Sequence, residues 1–130
     1  MKIDYEYSGI KVNADFKDNV NLLYGMSGSG KTFLFEIIQH YCKEKGIKNA
    51  LFDFKTENTE DNMVAFCKDA GIVLLDNADL YISKELLARF MKECPCILIS
   101  LKDYSKIGIK DVGMYSVDYT DKKMEVKRIE

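Results

Sequence analysis

"VNLLYGMSGSGKT", residues 20–32, decides how the rest of the chain is read. Its first five residues are a short apolar run of the kind that forms a buried strand, and the run stops at Gly25. Gly25, four residues, Gly30, Lys31 and Thr32 then fit the phosphate-binding loop pattern in full. With glycine near 7% of average usage, a chain this short matches that pattern by chance at well below about 1%. Beyond the loop, Leu34, Ile37, Ile38 and Tyr41 recur at helical spacing, and Phe33, Phe35 and Cys42 widen the stripe. The spacing predicts a helix over 31–45 that is covered on more than one side, ending at Lys43, Lys45 and Gly46.

A phosphate loop needs glycine because its backbone must turn tightly and bring successive amides to one point, which side chains would obstruct. Gly25, Gly28 and Gly30 supply that freedom around Met26, Ser27 and Ser29. The loop opens a helix, so its unpaired amides and the positive end of the helix dipole face an anion. The candidate nucleotide contacts are therefore Gly25, Met26, Ser27, Gly28, Ser29, Gly30, Lys31, Thr32 and Phe33. Lys31 would reach the β- and γ-phosphates, and the Thr32 hydroxyl would ligate Mg²⁺.

Working outward, "KIDYEY" and "IKVNADF" alternate around Ser8 and Gly9 as a hairpin. Downstream, strand patterns at 50–54, 72–75 and 96–101 alternate with helical patterns at 59–71 and 83–93, the last opened by Ser83 as a cap. "MYSVDY" and "KMEVKRI" around "TDKK" form a second hairpin. The alternation predicts an α/β three-layer sandwich with a mainly parallel central sheet, right-handed crossovers and antiparallel hairpins at both chain ends. The 130 residues are expected to form a single domain, 1–130, with no repeat or linker.

Nineteen basic against twenty-one acidic residues leave a formal charge of −2, which argues against a global field for nucleic acid or an anionic membrane. No apolar run approaches the 18 or so residues that a bilayer requires, and "MKIDYEYSGI" has no secretory pattern. A cytoplasmic setting is expected. Cys42, Cys67, Cys94 and Cys96 lie in apolar contexts without metal-ligand spacing and are expected to be reduced core thiols. His40, on the predicted helix, reads as a partly covered surface residue. Tyr5 and Tyr7 read as hairpin packing rather than as a platform for a nucleotide base.

"IVLLDNAD" places Asp76 at the C-terminal end of a strand, the edge where ligands collect in open α/β sheets, and an acid there can hold Mg²⁺ through a water opposite Thr32. With both segments in view the chain resembles the P-loop NTPases: "GMSGSGKT" looks like Walker A and "IVLLDNAD" like Walker B. The strand at 96–101 after Walker B makes it most similar to the division that holds AAA-type and ABC-type ATPases. That resemblance implies a central order 5-1-4-3-2, with Ser100 at the polar sensor position.

Departures from the family pattern shape the expected chemistry. Asn77 stands where many such ATPases carry a catalytic glutamate, and an amide orients water without acting as a base. Asp79, or Asp53 at the end of strand 50–54 with Glu57 close behind, is the substitute acid. The candidate catalytic set is Lys31, Asn77, Asp79 and Asp53, and the metal set Thr32 and Asp76. A signature segment and a helical lid are missing, and arginine is limited to Arg89 and Arg128, which argues against a phosphotransferase. The resemblance implies binding of ATP, or another nucleoside triphosphate, with Mg²⁺ and slow or partner-activated hydrolysis. A non-hydrolysing nucleotide switch or adaptor is the alternative. The missing lid points to work inside an assembly, as a homo-oligomer or with a protein partner.

Overall fold

The computed structural model describes residues 1–24, 30–53, 59–103 and 112–129. Strands β1 (Lys2–Tyr7) and β2 (Ile10–Asp15) turn through Ser8 and Gly9, both at positive φ, as a two-residue hairpin demands. Then come β3 (Val20–Tyr24), α1 (Lys31–Lys45), β4 (Asn49–Phe52), α2 (Glu60–Phe66), β5 (Ile72–Leu75), α3 (Lys84–Glu93) and β6 (Ile97–Ser100). Strands β7 (Gly113–Thr120) and β8 (Lys123–Arg128) close on a turn at Asp121 and Lys122, again both at positive φ.

Helix α2 is shorter than its pattern over 59–71. Thr59 caps its start, but the Cys67 and Lys68 amides reach only three residues back, to Val64 and Ala65, and Asp69 turns left-handed at φ 63°. That tightened last turn ends the helix well before Gly71.

All eight strands join one sheet in the order β1-β2-β8-β7-β3-β6-β5-β4. This overturns the expected three-layer sandwich with a mainly parallel sheet flanked by hairpins. The two hairpins are not flanking pieces: β2 lies parallel to β8, and β7 parallel to β3, so both are built into the same mixed sheet. The sheet is also curled, into a half-barrel. Helix α1 shows why it must be. Tyr41 donates its hydroxyl to the Lys2 carbonyl on β1 at 3.4 Å, while Gln39 Nε2 donates to Asn49 Oδ1 on β4 at 3.2 Å. Those are the two edge strands, about 34 Å apart in a flat sheet at seven strand spacings, far beyond the width of one helix. The buried α1 residues Leu34, Phe35, Ile37, Ile38 and Cys42 spread over about 160° of the helix at 100° per residue, a wider arc than a flat face would cover.

Two cores result. One fills the hollow between α1 and the inward side chains of β1, β2, β7 and β8, with Leu23, Leu74 and Leu98 from the parallel strands. The other lies across the sheet, where Leu22, Val73, Leu75, Ile97 and Ile99 meet α2 and α3. Strands β3, β5 and β6 are therefore buried on both faces, whereas β2 alternates buried and exposed because only its inner face is covered. Among the described residues no helix is long and apolar enough to cross a membrane. All four cysteines are unpaired and buried, and burial pushes their thiols up, Cys67 and Cys96 to about 12.

Register at the N-terminal end of β3 is fixed by polar groups. Asn21, fully buried, donates to the Asp18 and Ile97 carbonyls and so ties β3 to β6. Asp18 accepts from the Tyr115 hydroxyl at 2.8 Å and from Arg128 Nε at 3.2 Å, joining the start of β3 to β7 and β8. A Cβ on Gly113 would stand 1.9 Å from an Asp18 oxygen, so only glycine fits there. The Arg128 guanidinium, helped by Tyr115, holds the Asp18 carboxyl below its usual range against the opposing effect of burial. A depressed folded pKa means that the stabilisation is present above about pH 4 and is lost as pH falls through the folded value. Asp18→Asn is expected to lower the melting temperature at pH 7, with the gap to the unmodified protein closing in acid; a gap unchanged down to pH 3 would remove this role.

Candidate functional site

Parallel pairing of β3 with β6 and of β6 with β5 brings the C-terminal ends of all three strands to one edge of the sheet. Helix α1 begins beside that edge at Gly30, which takes φ 93° and has no side chain to cap the helix. The other two helices are conventionally started: Thr59 and Ser83 accept from the Asn62 and Leu86 amides, and each first turn carries acid. The first turn of α1 carries none, so no acid of its own offsets the positive end of the helix.

The centre of the site is a hydrogen bond across 44 residues of sequence: Thr32 Oγ1 donates to Asp76 Oδ2 at 2.9 Å. Asp76 is 6% exposed, which makes such a partner necessary for a carboxylate. Around the pair opens a pocket of about 350 Å³ whose walls include Gly30, Lys31, Phe33, Asn77, Asp79 and Ser100. Burial pulls the Lys31 ammonium below its ordinary pKa, opposed by the Asp76 and Asp79 carboxylates and reinforced by Lys102.

Behind the pocket the acidic turn is held from two sides. Tyr81 places its hydroxyl 2.7 Å from the Asp76 carbonyl and 2.9 Å from the Phe52 carbonyl, so one proton is shared between β5 and β4. Burial pushes this phenol's pKa well up, with Asp76 and Asp53 adding to the effect, so it remains a neutral donor. Asp79, in the short 3₁₀ turn Ala78–Leu80, accepts from the Lys102 amide with both oxygens, at 3.1 and 2.9 Å, and from the Asp103 amide at 3.0 Å. It thereby ties the turn after β5 to the chain leaving β6.

The structure thus brings Gly30, Lys31, Thr32, Phe33, Asp76, Asn77, Asp79 and Ser100 around one pocket. Asp53 is half-buried at the end of β4 and is not among the residues lining it. Gly25, Met26, Ser27, Gly28 and Ser29, like Glu57, lie outside the described residues. The chain matches no protein-family model and no curated protein.

Lys102 lines the pocket and escaped the sequence reading. Its only signal was its position two residues beyond Ser100, at the end of a strand that shares an edge with the loop. Neither arginine lines the pocket: Arg89 pairs with Asp61 at 2.8 Å across α3 and α2, and Arg128 is engaged with Asp18. His40 stacks on Tyr7 at 4.2 Å, and Tyr5 meets Tyr41 edge-on, both along the later half of α1.

Tyr81→Phe removes the hydroxyl between two strand-end carbonyls. It is expected to lower unfolding free energy by about 1–2 kcal/mol, read as a shifted denaturant midpoint at unchanged slope. No shift would mean that Tyr81 does not hold the turn.

Proposed function

We propose that this protein binds a Mg²⁺–nucleoside triphosphate, ATP foremost, at the pocket between α1 and the ends of β5 and β6. The observation that carries the proposal is the 2.9 Å contact between Thr32 and Asp76, which joins the two motifs read in the sequence. Lys31 neutralises the terminal phosphates, while the uncapped first turn of α1 offers amides to them. The donor chemistry suits the metal: Thr32 and Asp76 offer hard oxygen atoms, and a phosphate-site Mg²⁺ needs only one or two protein oxygens because waters and phosphates complete its shell. Among the described residues no group of three or more His, Cys, Asp or Glu is arranged to hold a metal, which such a site does not require. Bound there, Mg²⁺ would supply charge neutralisation on the phosphate oxygens.

Hydrolysis on this reading is slow until a partner contributes. Asn77 lines the pocket and its amide can orient water, but it is not a base. Asp79 commits both carboxylate oxygens to backbone amides. Both arginines are paired within the chain, so a transition-state cation of the arginine-finger kind would come from another chain. The same observations favour a second reading, a nucleotide-binding switch without turnover.

Calorimetry with MgATP tests the assignment. The unmodified protein is expected to bind, and Lys31→Ala to lose binding while keeping its circular dichroism and melting temperature. Unchanged affinity in the folded variant would overturn the phosphate site. Phosphate release followed over hours on the same sample then separates slow hydrolysis from the switch.

A further inference from the structure

Side chains two residues apart share a face of a strand, and on β7 the face toward α1 carries Tyr115, Val117 and Tyr119. Tyr115 and Val117 are 1% and 3% exposed, but Tyr119 is 38% exposed. The row reaches the end of the hollow there, level with the start of α1. The Tyr119 ring stacks on Phe33 with centroids 6.1 Å apart and planes 23° from parallel. It also lies against Gly30, where a Cβ would come within 3.5 Å of Tyr119 Cδ2. An exposed aromatic ring is thus packed on the residue that ends the phosphate loop and on a residue that lines the pocket.

Its place in the sheet gives this pair a direction. Asp76 and Lys102 approach the pocket from the ends of β5 and β6, while Tyr119 comes from β7 on the other side of β3. From β5 to β7 is three strand spacings, about 14 Å, the scale of an extended nucleotide. We propose that Phe33 and Tyr119 form the subsite for the nucleotide's base, the triphosphate running from them across the tip of β3 toward Asp76. This rests on the phosphate site proposed above and deepens it. Stacking tolerates any base but grows with ring area, so the subsite takes a purine better than a pyrimidine. Tyr5 and Tyr7 are not placed for this role. Their partners Tyr41 and His40 are nine or ten residues past Lys31, at least about 13 Å along the helix axis.

The experiment compares MgATP with magnesium tripolyphosphate, which has the phosphates and no base, on the unmodified protein, Tyr119→Ala and Tyr119→Phe. Tyr119→Ala is expected to weaken MgATP roughly 5- to 100-fold while tripolyphosphate affinity stays the same, and Tyr119→Phe, which keeps the ring, to bind both normally. If both probes bind and Tyr119→Ala changes neither, or changes both equally, the base subsite is overturned and the phosphate site stands. If neither probe binds the unmodified protein, the phosphate site falls and the subsite with it. Should Tyr119→Ala fail to fold, Tyr119→Trp introduces the only tryptophan in the chain. Its fluorescence should respond to MgATP and not to tripolyphosphate, and an equal response or none overturns the subsite.

Discussion

Everything in this molecule depends on α1 lying in the hollow of a sheet that curls far enough for one helix to touch both of its edges. The helix supplies Leu34, Phe35, Ile37 and Ile38, all fully buried, to the core that the two hairpins close over. At about 1.5–3 kcal/mol per buried side chain of this size, that interface is among the largest stabilising contributions in the fold. It also fixes the position of the helix N-terminus. Because the helix cannot slide without emptying the hollow, Gly30, Lys31 and Thr32 are presented at the strand-end edge by packing that begins at Leu34 and continues along the helix. The candidate site sits where the core ends.

Facing that helix start is a turn braced from behind. Tyr81 joins the Asp76 backbone to β4, Asp79 joins the next turn to the chain after β6, and Thr32 closes the gap from the front. Two lysines, Lys31 and Lys102, and two aspartates, Asp76 and Asp79, then share one small pocket. Burial already disfavours the charge on Lys31, and Lys102 adds to the strain. Asp76 and Asp79 already oppose those effects in part, and on the proposed reading a phosphate beside both lysines would add to that opposition.

The elements were legible because each is set by local pattern. A two-residue turn at Ser8 and Gly9, the helical stripe after Lys31, the Ser83 cap and the continuous apolar run at 72–75 all act within a few residues. Thr32 and Asp76 were legible as a pair only through chemistry, since each motif is generic and their meeting requires the strand ends to align. The curl was not legible. Strands β2 and β8 alternate inward and outward residues whether their hairpins stand apart or pair with each other, so no local signal marks their parallel contact. The width of the α1 stripe was the single clue, and covering by a second layer of helices explains a wide stripe equally well. Lys102 was missed for a similar reason: a lysine after a strand is ordinary, and its place at the pocket comes from the Asp79 bonds to the backbone.

Asn77 carries the sharpest ambiguity in the site, and its backbone bears on it. The residue sits at φ 48°, ψ 49°, left-handed, directly after the buried Asp76. Asparagine enters that region more readily than most residues with a Cβ, whereas glutamate there would cost roughly 1–2 kcal/mol. The amide is therefore explained by how the chain must turn to place Asp79 against the β6 exit, without any loss of a former catalytic group. Where the backbone takes this shape, a carboxylate base has to come from another position. Asp79 is engaged by two amides, and Asp53 stands outside the pocket at the sheet edge. If the pocket holds a nucleotide as proposed, the geometry that braces this turn is the same geometry that leaves water activation to an oriented amide or to a second chain. On the proposed reading, nucleotide binding with weak intrinsic turnover would follow from this one arrangement of backbone.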